Sequence, residues 1–90
     1  MYIGFMAALL LQEIAKSHAE VFTNTDPCNI YINDCQAGSG EIIMPLLEKF
    51  KKNSLVDERN VDGLVKVYTV NAAGKEELAR HFRKDAVLQQ

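Results

Sequence analysis

The sequence predicts an α+β fold, mainly helical, in one domain spanning residues 1–90, and three observations carry that expectation. Ninety residues supply a single hydrophobic core, since typical domains run to roughly 100–150 residues. Apolar residues make up 48% of the chain and charged residues 24%, a balance that buries a core rather than one that stays disordered. Apolar positions recur at helical spacing in three stretches, whereas residues 55–70 read as two strands around an Asp-Gly pair.

The first element is an amphipathic helix over residues 1–22. Its apolar residues fall at 3, 6, 7, 10, 11, 14 and 15, then at 21 and 22, with Glu13, Lys16 and Glu20 on the other side. The uncharged run stops at Gln12, short of the roughly 18–20 residues that span a bilayer. No Lys or Arg precedes it, as a signal peptide requires, so no membrane partner and a cytoplasmic location are expected. Thr23 to Pro27 is dense in turn and cap residues, and Asp26 before Pro27 suits an N-cap with proline at the first helical position.

Residues 28–35 fit two readings. Ile30, Tyr31 and Ile32 favour a strand, while Cys28, Ile32 and Cys35 share a face if Asp26 caps a short helix; the helix is preferred. Gln36 to Gly40 then forms a turn, with Ser39 as N-cap of the next helix. In that helix, to about Asn53, Ile43, Leu46, Leu47 and Phe50 make one stripe. Pro45 lacks an N–H, so an irregular first turn is expected there. Leu55 to Arg59 and Leu64 to Val70 are strands of a hairpin, and residues 74–88 form a last helix with Leu78 and Phe82 on its apolar side.

Helix, short helix, turn, helix, hairpin, helix is the order of a winged helix-turn-helix domain: helix-turn-helix over 26–53, two-stranded wing over 55–70, C-terminal helix over 74–88. The run Ser39-Gly40-Glu41-Ile42-Ile43-Met44-Pro45-Leu46-Leu47-Glu48-Lys49-Phe50, then Leu55-Val56, then Tyr68, Asn71 and Gly74, resembles PadR-like and MarR-like transcriptional regulators. The likeness covers about residues 36 to 80. It departs at Met44, where the family usually has an aromatic residue, at Ser54, usually Gly, and at Asn71, usually Thr.

The resemblance implies sequence-specific binding of double-stranded DNA by a small transcriptional regulator. On that reading Ser39, Gly40, Glu41 and Met44 face the major groove, and Lys49, Lys52, Arg59, Asn60 and Lys66 meet phosphates. Charge is divided accordingly: residues 1–45 hold one base against five acids, residues 46–90 nine against seven. Glu48, Asp57, Glu58 and Asp62 oppose phosphate binding on the same surface, so a protein-interaction adaptor without DNA binding is the alternative. The apolar faces of the first and last helices suggest a homodimer through Ile3, Met6, Leu10 and Phe82, with recognition helices about 34 Å apart.

No catalytic role, cofactor or metal site is expected. His18 and His81 lie on separate helices in this reading, and Cys28 and Cys35 lack the spacing of a zinc or redox pair, so both thiols read as reduced apolar groups.

Overall fold

The computed structural model describes residues 4–23 and 29–88, excluding the side chains of residues 38, 39 and 83–88. The elements follow in the order α1 (Phe5–Lys16), β1 (Ala19–Phe22), β2 (Asn29–Ile32), β3 (Cys35–Ser39), α2 (Gly40–Lys52), β4 (Val56–Val61), β5 (Val65–Val70) and α3 (Ala72–Leu88). The strands form one antiparallel sheet in the order β3-β2-β1-β5-β4. This corrects the winged-helix expectation, because three helices on a five-stranded sheet contain no helix-turn-helix.

The correction lies in residues 17–39. Ser17, at φ −153° and ψ −89°, ends α1, and Ala19 and Val21 then point inward at the two-residue period of a strand. The stretch read as a short helix is a hairpin. Asn33 and Asp34 both take positive φ (53° and 68°), the pattern of a type I′ turn, which Asn and Asp tolerate better than other side chains. Cys35 therefore pairs with Ile32 across the turn, and the segment read as the next turn is β3. The expected cap at Asp26 and Pro27, together with Cys28, lies outside the described residues.

Helix α2 starts at Gly40 and carries Pro45 within its length. It leaves edge strand β3 and leads to β4, the opposite edge, so it crosses the whole sheet. Asp62 (φ 54°) and Gly63 (φ 71°) close the β4–β5 hairpin.

All three helices pack on one side of the sheet. A single core joins Ala7, Ala8, Leu11 and Ile14 of α1, Ile43, Leu47 and Phe50 of α2 and Leu78 of α3 to Ala19, Val21, Ile30, Val56, Tyr68 and Val70. Fully burying one such Leu, Ile or Phe contributes about 1.5–3 kcal/mol. The polar end of buried Tyr68 is satisfied, since its hydroxyl donates to Glu58 Oε2 (2.8 Å), and Lys51 Nζ reaches the same carboxylate at 3.1 Å. The Tyr68 hydrogen bond above all, and then Lys51, hold the Glu58 carboxyl below its ordinary pKa against the opposing pull of burial.

Three residues of the family-like run have a structural explanation. Tyr68 fills the core, Asn71 Oδ1 caps α3 by accepting from Gly74 N (2.9 Å), and Gly74 lets α3 pass close to the chain at Leu55. A Cβ at Gly74 would sit 2.2 Å from Leu55 O and 2.6 Å from Val70 Cγ1.

Candidate functional site: the open face of the sheet

Strand alternation sends the other set of side chains to the face that carries no helix. Across one row lie Gln36, Tyr31, Glu20, Val67 and Arg59, register partners from β3 to β4. The next row holds Phe22, Val65 and Val61. Phe22 and Tyr31 meet edge to face with ring centroids 5.5 Å apart, and Val61 and Leu64 are exposed at the hairpin end. A shallow groove of about 380 Å³ runs over this face between Ser17, His18, Glu20, Val67, Thr69 and Arg59.

At one end of the groove stands a polar cluster. His18, just before β1, and Glu20 within it share the face, and His18 Nε2 lies 3.2 Å from Glu20 Oε1. Ser17 Oγ is 2.7 Å from His18 Nδ1. The β2–β3 turn brings Asp34 to the same place, and one ligand atom from each of His18, Glu20 and Asp34 lies within 4.8 Å of the others. Asn33 fixes that turn: its N–H donates to His18 O (3.0 Å), its Nδ2 donates to Glu13 O (2.8 Å), and its Oδ1 accepts from His18 N (3.2 Å).

The residues assigned to DNA do not form one surface. Gly40 is buried and Met44 packs against the core, while Glu41, Lys49 and Lys52 are exposed on α2. Arg59 lies on the opposite, open face, whereas Asn60 and its register partner Lys66 lie on the helix side. The side chain of Ser39 lies outside what is described. Of the expected dimer residues, Leu10 and Phe82 pack against the protein's own core, Met6 is 74% exposed, and Ile3 lies outside the described residues.

Sequence reading missed Phe22, Tyr31 and the His18–Glu20–Asp34 group because it placed 18–22 and 28–35 in helices, and it left Val67 in a two-stranded hairpin with no β1 beside it. The spacing of His18 and Glu20 puts them on one face once β1 is a strand; no local signal brings Asp34 to them.

The described residues thus define a two-layer α+β domain, helices on one side and an uncovered sheet face on the other. Compared with protein-family models, curated proteins and solved structures, the chain matches none. No described helix is long and apolar enough to cross a membrane.

Proposed function

We propose that this protein is a non-catalytic binding module of the cytoplasm whose working surface is the open sheet face, and that the face pairs with a second copy of the chain. The observation that carries the reading is the symmetry of one row: Glu20 and Arg59 are the register partners of Val67 on its two sides. A two-fold axis lying between the two copies, parallel to the strands and over Val67, brings Glu20 of one copy over Arg59 of the other, twice. Such an isologous interface also covers Phe22, Val61 and Val65. The overlap takes in β1, β5 and β4, strands about 4.8 Å apart, a patch roughly 10 Å wide and below the size of standard specific interfaces, so association no tighter than the micromolar range is expected.

Light scattering across concentration, in chelator, tests this. Val67→Asp is expected to leave a monomer, and Arg59→Glu to weaken the dimer at least tenfold. The double exchange Glu20→Arg with Arg59→Glu should restore it. A wild-type monomer at millimolar concentration, or no rescue by the exchange, would refute the pairing.

Double-stranded DNA binding by a small regulator is the second reading, favoured by Lys49 and Lys52 standing exposed at i, i+3 on α2. Fluorescence anisotropy with duplex DNA across salt tests it. Lys52→Ala should lower the salt slope by about one. No binding at low salt removes this reading.

A further inference from the structure

We propose that His18, Glu20 and Asp34 form a binding site for a divalent first-row transition ion, with Zn2+ as the representative ligand. One imidazole nitrogen and two carboxylate oxygens from separate parts of the chain converge within 4.8 Å of one another. Two ligand atoms each about 2.0–2.1 Å from zinc at a tetrahedral angle lie about 3.3 Å apart. The His18 Nε2 to Glu20 Oε1 separation is 3.2 Å, so this pair already stands at that spacing.

The surroundings support ligation. Ser17 Oγ, 2.7 Å from Nδ1, orients the ring and can hold the proton on Nδ1, which leaves Nε2 as the electron-pair donor. Asp34 is not left to chance on a loop, because the Asn33 hydrogen bonds to His18 and Glu13 lock the turn beside the ring. Two carboxylates against one imidazole give the group a net negative charge, which a divalent ion offsets.

The donor set also selects the ion. Imidazole favours zinc and its neighbours over magnesium and calcium, and the set contains no thiolate to favour Cu+. A three-ligand site leaves a coordination position for water or a small anion beside the groove that Arg59 lines.

Isothermal titration of the full chain with ZnCl2 tests this, in a Cys28→Ser, Cys35→Ser background that removes the thiols. One Zn2+ per chain is expected, with Mg2+ and Ca2+ at least a hundredfold weaker. His18→Ala and Asp34→Asn should each weaken binding by roughly tenfold or more, and Ser17→Ala by roughly tenfold through the ring it orients. Asp34 is exposed in a turn, so Asp34→Asn tests the site in a chain with unchanged circular dichroism even where His18→Ala perturbs β1. Visible bands of bound Co2+ should disappear in the same variants. Absence of saturable Zn2+ binding, binding retained in both His18→Ala and Asp34→Asn, or equal affinity for Mg2+ would overturn the proposal. Val67→Asp, which breaks the dimer, should keep one Zn2+ per chain, so the two readings fail separately.

Discussion

The two hairpins at opposite edges of the sheet close through loops of two and three residues and are held at different places. Each has two turn residues with positive φ, Asn33–Asp34 in one and Asp62–Gly63 in the other. The β2–β3 hairpin is fastened at its tip, where Asn33 bonds to the end of α1 and the start of β1. The β4–β5 hairpin is fastened at its root: Asn71 N donates to Leu55 O (3.1 Å), Asn71 Nδ2 donates to Ser54 O (2.9 Å), and Gly74 passes against Leu55. Its turn residues Asp62 and Gly63 stand exposed, while the carbonyl of Leu64 beside them accepts from Thr23 N (2.9 Å) and Thr23 Oγ1 (3.0 Å). Asp62 and Gly63 alone are left free to vary, with the chain held on either side of them. A hairpin held at the tip can position a side chain against another element, as Asp34 is positioned against His18.

The largest effect is expected at the root of β4–β5. Gly74→Ala places a methyl 2.2 Å from a backbone oxygen, so α3 must shift, with an expected loss of about 3 kcal/mol in denaturant unfolding. A loss under about 0.5 kcal/mol would show that the root is loose.

Next come the tips. Asn33→Gly keeps the backbone freedom the turn needs but removes the side-chain bonds to Glu13 and His18, for an expected loss of about 1–2 kcal/mol. Asp62→Gly should stay within about 0.5 kcal/mol of wild type. Equal losses at the two tips, read by the same unfolding assay, would erase the distinction.

The smallest effect concerns the cross-strand pair Tyr68–Glu58. Tyr68→Phe is expected to cost about 1 kcal/mol at neutral pH. Because Glu58 has a lowered pKa in the folded protein, its contribution is full above the unfolded carboxylate value and is lost as pH falls through the folded one. The variant should therefore lie closest to wild type in acid, and a constant difference across that range would rule out the Tyr68 hydrogen bond as the cause.

Legibility follows the same division. The C-terminal part carries local signals: the Ile43, Leu47, Phe50 stripe of α2, the Asp62–Gly63 turn, and the Leu78–Phe82 spacing of α3. The part from Ser17 to Ser39 does not. Val21 and Phe22 prolong an apolar helical period although they face opposite sides of a strand, and Asn-Asp lacks the glycine that marks the commonest two-residue turns. Ala37-Gly38-Ser39 has turn-like composition yet lies in an edge strand, with a register shift between Ile30 and Tyr31 opposite. The residues expected to meet DNA follow a helix and a hairpin whose tertiary placement no local pattern encodes, and Arg59 and the α2 lysines lie on different faces.

The pairing of β1 with β5 sets the order of assembly. Ala19 meets Tyr68 and Phe22 meets Val65, contacts between distant parts of the chain, whereas both hairpins join neighbouring residues. Loop-closure entropy makes the distant pairing the slower event, so each hairpin can form early while the middle of the sheet waits for α2 to bring its two edges round. The β1–β5 seam is then the last line to close during folding and the first along which the sheet parts, leaving two short-lived strand edges in the middle of a sheet whose native edges are β3 and β4.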